Sequence, residues 1–238
     1  MPSLGVIGAG GRLGSRIVAA AGTMGVEVTL RGTRAAWTGG VPDVLVDVSL
    51  APALPDVLGY CHTNKVPLLS ASSGLTPEHR AGLAALAELI PVLRADNLSL
   101  GNWIQRGLTS HLGPMFGRLH AEGLGSVTVV DRHPTYKKDR PSATALALAD
   151  RATGGADGAL DVRIESIRAG MPVCEHDVRL ALGDEELVVR HAVRDWAAYA
   201  PVAVRAALWL TDRPAALHSM DDFYTWLLTT SATDDGKE

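Results

Sequence analysis

Residues 131–145 contain the side chains of this chain that are best suited to proton transfer. The segment holds His133 and Lys137, and it ends in a candidate helix start at Ser142. A histidine gains or loses a proton near neutral pH, and a lysine can supply a proton or a positive charge. The first backbone N–H groups of a helix lack intrahelical acceptors and attract anions. The segment therefore predicts proton transfer beside a bound carboxylate, although the same residue types are also typical of a solvated loop.

A strand must deliver this segment, and a helix must follow it. Residues 126–130 (SVTVV) are rich in β-branched side chains, which indicates a strand. Residues 143–151 (ATALALADR) have high helix propensity, and Pro141 and Ser142 suit a helix entry. We expect a strand, a polar loop and a helix in succession.

A second candidate site lies near the amino end, where an apolar strand at residues 4–7 runs into a glycine-rich turn. Glycines allow the tight bend, the close approach of a pyrophosphate and the helix-on-strand packing that dinucleotide-binding folds require. The spacing is one residue off the commonest fingerprint, so the prediction depends on the surrounding strand–helix–strand unit. An ordinary exposed arginine is the alternative for Arg12. The predicted cofactor-binding residues here are Gly8, Gly10, Gly11, Arg12, Leu13 and Gly14.

The end of the second predicted strand, residues 26–30, bears on which dinucleotide is bound. Folds that prefer NAD usually place an acidic residue there for the ribose hydroxyls. This chain has none, and Arg31, Thr33 and Arg34 would instead accept a 2′-phosphate. The sequence therefore favours NADPH over NADH, with a solvated arginine pair as the alternative.

The rest of the first hundred residues predicts an α/β fold with a Rossmann-type doubly wound parallel sheet. Apolar strands at residues 44–48, 67–70 and 91–95 alternate with helices, and residues 37–40 are expected to form a loop. Small polar residues after these strands could approach a nicotinamide amide or could form simple turns. The cofactor-binding candidates among them are Ser49, Ala71, Ser73 and Asn97.

A hinge at residues 96–101 begins a second, α+β domain with a mixed open sheet. Its predicted elements are a helix at 103–116, the strand and helix around the first candidate site, and strands at 162–168, 176–181 and 186–191. An apolar helix at 199–210 is expected to pack back on the first domain. We predict a dinucleotide-binding domain of residues 1–100 and 204–238, and a substrate-binding and oligomerisation domain of residues 101–203. Other predicted features are a glycine-rich loop at 154–158, a helix at 223–228 and a disordered tail at 231–238.

Composition excludes several classes of partner. The net charge is −4 with a pI near 6.1, and no basic run suggests nucleic-acid binding. Cys61 and Cys174 lack metal-type spacing, so the sequence indicates neither a disulfide framework nor a metal site. Because no stretch approaches the length of a membrane span and the chain opens on a strand, we expect a cytoplasmic protein.

The order of these motifs resembles the dihydrodipicolinate reductase family along nearly the whole chain. The shared elements include GAGGRLG, DVLVDVS, ASSG in place of the family's Gly-Thr-Thr-Gly, residues 167–170 leading to Glu175-His176, and the late VRAALWL run. The family's central signature is Glu-x-His-His-x-x-Lys-x-Asp-x-Pro-Ser-Gly-Thr-Ala, and seven of its ten specified positions match. The matches are His133, Lys137, Asp139, Pro141, Ser142, Thr144 and Ala145.

The resemblance implies hydride transfer from a nicotinamide cofactor to a small heterocyclic dicarboxylate, and a homotetramer built from the sheets of the second domains. It implies that Lys137 supplies the proton, and that His133 holds a carboxylate or assists the proton step. The backbone amides of Ala143 and Thr144 would bind a carboxylate oxygen, and Ser142 would cap the helix.

The departures from the family pattern fall inside the site. Asp131 replaces Glu, Pro134 stands where the second His is expected, and Ala143 replaces Gly. Residues 196–202 also differ, with Trp196 at the start of a stretch that the family tends to read as Arg-x-x-Phe-Ala-x-Gly. The leading hypothesis is therefore an NADPH-dependent reductase of this family. Alternatives are a diverged member that reduces another heterocycle, a catalytically idle nucleotide-binding protein, and a dehydrogenase that oxidises an amino acid.

Overall fold

The computed structural model describes residues 1–154, 160–170 and 173–230. Most of the glycine-rich loop predicted at 154–158 and the whole tail predicted at 231–238 lie outside the described residues. Short 3₁₀ helices occupy Ala51–Ala53 and Trp196–Tyr199. The other elements are β1 Leu4–Ile7, α1 Arg12–Thr23, β2 Val28–Gly32, β3 Trp37–Gly39, β4 Val44–Asp47, α2 Leu54–Asn64, β5 Leu68–Ser70, α3 Pro77–Ala87, β6 Pro91–Arg94, α4 Leu100–Ala121, β7 Ser126–His133, α5 Ala143–Thr153, β8 Arg163–Arg168, β9 Cys174–Leu182, β10 Glu185–Val193, α6 Ala200–Leu210, β11 Ala216–Ser219 and α7 Met220–Thr229.

The chain divides into two compact units, and the second is an insertion in the first. The first unit comprises Met1–Ser99 and Trp196–Glu238, and the second comprises Leu100–Asp195. The division at 99/100 lies one residue from the predicted boundary. The division at 195/196 lies eight residues before the predicted one, because the 3₁₀ helix at Trp196–Tyr199 and α6 both pack on α1.

The first unit has the predicted Rossmann-type architecture. Within its described residues, seven strands form one sheet in the order β11-β6-β5-β4-β1-β2-β3. All neighbouring pairs are parallel except β2 with β3, which is antiparallel. The strand order reverses at β1, and in open parallel sheets the crevice at such a switch point binds ligands at the carboxyl ends of the strands.

Continuous apolar runs explain why the central strands occupy the middle of this sheet. Every residue of β1 and of β4 is buried, which is the pattern expected of parallel strands covered on both faces. Helix α6 covers one face, with Ala203, Val204 and Leu210 fully buried. At about 25 cal/mol per Å² of buried apolar area, such surfaces supply the main stabilisation of the unit.

Both edge strands of the first sheet differ from what the sequence predicted. Residues 37–40 were predicted to be a loop, but Trp37–Gly39 pairs antiparallel with β2 and forms an edge strand. The run is short and contains glycine, so its strand character comes from pairing and from the packing of Trp37 against Tyr60, with ring centroids 5.4 Å apart. At the other edge, β11 was not predicted, because Ala-Leu-His-Ser carries no strand signal until it pairs with β6.

The second unit contains the predicted mixed sheet backed by helices. Four strands of its described residues lie in the order β10-β9-β7-β8, with β7 and β8 parallel and the other pairs antiparallel. Val127 and Val129 of β7 pack with Val178 and Leu180 of β9 beneath α4 and α5. Strand β7 continues to His133, three residues past its predicted end, and the same buried face therefore includes Asp131 and His133.

Candidate functional site

The glycine turn between β1 and α1 is built by the backbone. Gly8 has φ +86°, a conformation that side-chain-bearing residues rarely adopt, and its N–H donates to the Gly32 carbonyl at 2.9 Å. A Cβ on Gly14 would lie 2.0 Å from the Gly8 carbonyl oxygen, so only glycine allows α1 to approach the turn this closely. Helix α1 begins after Gly11, which offers no capping side chain. Its first N–H groups are therefore suited to an anion.

The end of β2 lies beside this turn. A Cβ on Gly10 would be 4.0 Å from Thr33 Cγ2, and the Thr33 hydroxyl is held by the carbonyl of Ala36 at 3.2 Å. Arg31 and Arg34 are exposed, as anion-binding groups at this position must be. The Arg12 guanidinium stacks over Trp196, 5.4 Å from the ring centroid. Cation–π contact of this kind orients a guanidinium without neutralising it.

A buried carboxylate organises the carboxyl ends of β4 and β5. Asp47 is fully buried and accepts hydrogen bonds from the hydroxyls of Ser49 at 2.5 Å and Ser72 at 2.7 Å. The Ala71 N–H donates to the Asp47 carbonyl at 2.8 Å, and Ser73 forms an isolated bridge with Leu50. The predicted residues Ser49, Ala71 and Ser73 therefore lie together, and the sequence had not indicated the role of Ser72.

Asn97 has a local structural role at the end of β6. Its side-chain oxygen accepts a hydrogen bond from the Ser99 N–H at 2.9 Å. This turn leads the chain from the first unit into α4.

The first unit has the features that a dinucleotide requires. The glycine-lined helix start lies at the switch point of the sheet, where pyrophosphate binds in such folds. The end of β2 carries Arg31, Thr33 and Arg34 and lacks an acid, which fits a phosphorylated ribose. The candidates for holding the phosphates are Gly8, Gly10, Gly11, Arg12, Leu13 and Gly14, and Ser49, Ala71 and Ser73 stay candidates for the nicotinamide end.

In the second unit, a buried ion pair supports His133. Asp131 has no exposed surface and lies 3.0 Å from Arg168 Nη1, whose side chain is also fully buried. The Ser166 hydroxyl donates to the same carboxylate at 2.5 Å, and His133 Nε2 lies 3.6 Å from Asp131 Oδ2. The parallel pairing of β7 with β8 places Asp131 opposite Ser166 and His133 opposite Arg168, which brings these groups together.

The loop between β7 and α5 presents Lys137. The Lys137 N–H donates to the Pro134 carbonyl at 3.1 Å, which closes a turn, and Lys137 Nζ lies 2.9 Å from Asp139 Oδ2. Burial alone would raise the pKa of Asp139, but the hydrogen bond and charge of Lys137 outweigh it and hold that pKa below its ordinary value. Arg168 also donates a hydrogen bond to the Asp139 carbonyl, so the buried Asp131–Arg168 ion pair is connected to this loop.

The start of α5 has the predicted Ser142 cap. Ser142 is buried, and its Oγ accepts the Ala145 N–H at 3.2 Å. Ala143 is exposed and Thr144 is half-buried, and their N–H groups have no acceptor within a helix at these positions. His176 Nε2 lies 3.3 Å from Ser142 Oγ, so a histidine from β9 supports the cap.

Three histidines gather on the buried face of this sheet, and their surroundings keep them neutral. Burial lowers the pKa of His133, with the charge of Lys137 acting in the same direction. Burial, with the nearby His133 and His191, lowers the pKa of His176 to about 3, and burial likewise lowers the pKa of His191. His133 and His176 make an edge-to-face contact, with ring centroids 5.1 Å apart.

Sequence reasoning had not identified three of these residues as part of the site. Asp131 was noted only as a replacement for Glu, and Arg168 and His176 were noted only as parts of shared motifs. Their pairing across β7, β8 and β9 depends on register, which a single sequence does not reveal. The available signal was Asp131, an acidic residue at a position of β7 that alternates with the buried Val127 and Val129.

Comparisons with known proteins agree on one family. The family models described as dihydrodipicolinate reductase N-terminus and C-terminus match residues 19–98 and 111–224. The 4-hydroxy-tetrahydrodipicolinate reductase of Zymomonas mobilis is 30% identical over 250 residues, covering 92% of this chain and 95% of that protein. The Myxococcus xanthus protein of the same name is 32% identical over 201 residues, covering 76% of this chain and 71% of that protein.

A solved structure shows the same fold. Dipicolinate-bound dihydrodipicolinate reductase from Paenisporosarcina sp. TG-14 aligns with a TM-score of 0.71 at 16% identity, covering 92% of this chain and 97% of that one. The two family models follow each other along the chain as the two units do. The alignment with the Zymomonas relative covers nearly the whole of this chain. The chain thus belongs to the dihydrodipicolinate reductase family, whose members are NAD(P)H-dependent oxidoreductases.

Proposed function

We propose that the chain reduces a small carboxylated cyclic imine or enamine of the dihydrodipicolinate type, with NADPH as the preferred hydride donor. The observation that carries this proposal is the capped start of α5, where Ser142, Lys137 and the buried His133 and His176 belong to one constellation. The names of the relatives, which are about 30% identical, support the substrate class.

The start of α5 would bind a substrate carboxylate. Ser142 Oγ already accepts the Ala145 N–H, so the N–H groups of Ala143 and Thr144 remain to receive an anion. The helix dipole favours negative charge at the same end. The carboxylate would thereby fix the orientation of the ring to be reduced.

Lys137 would supply the proton that accompanies hydride transfer. Its side chain is 30% exposed, which gives it access to both substrate and solvent, and Asp139 holds the ammonium group at 2.9 Å. The bound nicotinamide supplies the hydride. An ammonium that is positioned by a carboxylate can give up a proton to the reduced substrate and recover one from water.

His133 has a defined tautomer when it is neutral. Its Nδ1 lies 3.2 Å from the Val173 carbonyl, which can only accept, so Nδ1 carries the proton and Nε2 is the acceptor. Because burial lowers its pKa, the ring is neutral at pH 7. We therefore give His133 the role of assisting the proton step; it would donate to a carboxylate through Nε2 only after protonation.

A second candidate function is the reduction of a different heterocycle. Pro134 stands where the family has a second histidine, and its carbonyl closes the turn that presents Lys137. Proline cannot bind a carboxylate or transfer a proton through its side chain. The methyl group of Ala143 also occupies space that the family's glycine leaves open, so the substrate-binding groups differ while Lys137 and His133 are retained.

A turnover assay with NADPH tests the proposal. Dihydrodipicolinate and a panel of cyclic imino acids are offered separately, and consumption of NADPH is followed by absorbance. Turnover of dihydrodipicolinate supports the leading proposal, and turnover of another member of the panel supports the second. Binding of NADPH without any turnover would favour an idle nucleotide-binding protein, and reduction of NADP⁺ with amino acids would favour the oxidative dehydrogenase.

We also propose a homo-oligomer formed through the open face of the second sheet. Opposite α4 and α5, this face carries a cavity of about 370 Å³ lined by alternating polar residues, among them Thr128, Arg132, Glu175 and Asp177. Asp177 is almost fully buried between Arg179 and Arg190 at 2.8 and 2.7 Å. Light scattering should give a mass of about four chains, the state that the family resemblance implies, and a monomer would contradict this proposal.

A further inference from the structure

Cys174, His176 and His191 form a cluster that hydride transfer does not require. Cys174 and His176 are two residues apart on β9 and share its buried face, and His191 is the direct partner of His176 on β10. Cys174 Sγ and one ring nitrogen from each histidine lie within 4.8 Å of one another. A thiol and two imidazoles are the donor set that zinc-class metal ions prefer.

Helix α4 supports the two strands that carry the cluster. Gln105 of α4 is buried, and its Nε2 donates to the carbonyl of His176 at 2.8 Å and to that of Val189 at 2.9 Å. This amide links β9 to β10 at the position of the histidine pair. Cys174 is 6% exposed and His176 is 1% exposed, so their donor atoms are removed from bulk water.

One ring nitrogen of His176 is buried without a hydrogen-bond partner in the described part of the chain, which indicates a ligand. Nε2 faces Ser142 Oγ, whereas Nδ1 is buried and has no hydrogen-bond partner among the described residues. A buried polar atom without a partner costs about 1–3 kcal/mol. In the tautomer with hydrogen on Nε2, the ring donates to Ser142 and presents a lone pair at Nδ1. This is the arrangement that metal-ligating histidines adopt, with the second nitrogen oriented by an oxygen.

We propose that Cys174 Sγ, His176 Nδ1 and a ring nitrogen of His191 bind one zinc-class ion, with a water molecule in the fourth position. Metal–ligand lengths of about 2.0–2.3 Å in a tetrahedral site require donor separations of about 3.3–3.8 Å, so the side chains close by about 1 Å on binding. The Cys174 thiol gives its proton to solvent, and no electron transfer is involved. The low pKa of His176 agrees with this site, since a neutral imidazole is the metal-binding form.

The site would couple metal binding to the start of α5. His176 contacts Ser142, which caps that helix, and its ring packs against His133. The metal is therefore placed to regulate the site rather than to take part in hydride transfer.

Cobalt titration tests the proposal without substrate or cofactor. Metal-free, full-length protein that carries no histidine tag is titrated with Co²⁺ under anaerobic conditions. One equivalent should produce a thiolate-to-cobalt charge-transfer absorption and visible bands of tetrahedral Co²⁺, and one equivalent of Zn²⁺ should abolish them. Cys174→Ser should lose the charge-transfer band, and His191→Ala should weaken Co²⁺ binding at least tenfold.

Matched variants control for the other possible ligands. Cys61→Ser removes the other cysteine, which lies in the core of the first unit with its pKa raised to about 12 by burial, and it should leave the cobalt spectrum unchanged. His111→Ala removes an exposed histidine of α4 and should also have no effect.

Two outcomes would overturn the proposal: no one-to-one cobalt complex in the wild-type protein, or a charge-transfer band that Cys174→Ser leaves intact. If Cys174→Ser fails to fold by circular dichroism, Cys174→Ala and the wild-type titration decide. NADPH binding and turnover are measured separately, so a failed reductase assay and a failed metal site give different results.

Discussion

The candidate binding sites of the two units are built from different parts of the chain: backbone in one unit and side chains in the other. In the first, the backbone forms the site, since Gly8, Gly11 and Gly14 create a helix start that no side chain obstructs. In the second, buried side chains from separate strands form it, with Asp131, Arg168 and His176 meeting through strand pairing. The first kind of site depends on local sequence and the second depends on register. In the first unit, substitutions should therefore act by placing a side chain where the cofactor or the helix must fit. In the second unit, they should act by leaving a buried polar or charged group without its partner.

The largest effect is expected for Gly14→Ala. The new Cβ would lie 2.0 Å from the Gly8 carbonyl oxygen, so α1 must move away from the turn. We expect NADPH affinity, measured by fluorescence titration, to fall by at least about 100-fold, which corresponds to about 2.7 kcal/mol. Gly22→Ala in the same helix is the control, because its Cβ would meet nothing within 4 Å. Equal NADPH affinity in the two variants would contradict a backbone-built site.

Lys137→Ala tests the side-chain-built site. Loss of a proton donor should lower kcat by about 10²–10⁴-fold, while the Kd of NADPH changes by less than about twofold. Lys138→Ala removes the adjacent exposed lysine and should leave both values near those of the wild type. A parallel loss of kcat and of NADPH binding in Lys137→Ala would remove Lys137 from its role as the acid.

Asp131→Ala should destabilise the second unit. It leaves the buried Arg168 guanidinium without its carboxylate, and removing one partner of a buried pair costs about 3–5 kcal/mol. Urea denaturation measures the change. Asp150→Ala, at an exposed position on α5, should stay within about 0.5 kcal/mol of the wild type. A loss below about 1 kcal/mol for Asp131→Ala would show that the ion pair is not a structural requirement.

The buried histidines predict a loss of stability in acid. Below pH 6.5 the unfolded chain takes up a proton at His176, whereas the folded chain, with a pKa of about 3 there, does not. Stability therefore falls as the pH falls, by about 2 kcal/mol between pH 6.5 and pH 5 from His176 alone. Denaturation of chelator-treated protein at both pH values measures this, and His176→Gln should reduce the difference. His111→Gln is the exposed control, and identical pH dependence in the wild type and His176→Gln would refute the assignment.

The smallest effect is expected for Arg34→Ala. If Arg34 contacts a 2′-phosphate, the ratio of NADPH affinity to NADH affinity should fall by about tenfold, as for a lost charge-assisted hydrogen bond. Arg80→Ala, which removes an exposed arginine of α3, should leave the ratio unchanged. An unchanged ratio in Arg34→Ala would exclude Arg34 from cofactor selection.

The sequence predicted what depends on nearby residues. The apolar runs of β1 and β4, the glycine turn and the Ser142 cap are each encoded within a few positions, and the structure confirms them. The fold class and the family are confirmed as well. The roles proposed for individual site residues, the tetramer and the cytoplasmic location stay predictions.

Features that depend on distant pairing were missed. β3 and β11 are strands because β2 and β6 offer free edges, and their own residues carry little signal. The sequence predicted no metal site, because Cys61 and Cys174 lack metal-type spacing; that prediction and the zinc-class site proposed above both await the cobalt titration. Antiparallel pairing of β9 with β10 places His191 opposite His176 and beside Cys174, and this proximity follows from register alone.

The insertion of the second unit has a consequence for synthesis on the ribosome. Helix α6, whose Ala203, Val204 and Leu210 are fully buried in the first unit, is translated only after the whole of Leu100–Asp195. Strand β11, the parallel neighbour of β6, is translated later still. The nascent sheet therefore leaves the exit tunnel with β4, β5 and β6 uncovered on the face that α6 later packs against, whereas the inserted unit already has all of its segments. We expect the inserted unit to fold first during translation, and the nucleotide-binding unit to complete its core only when the last helices emerge.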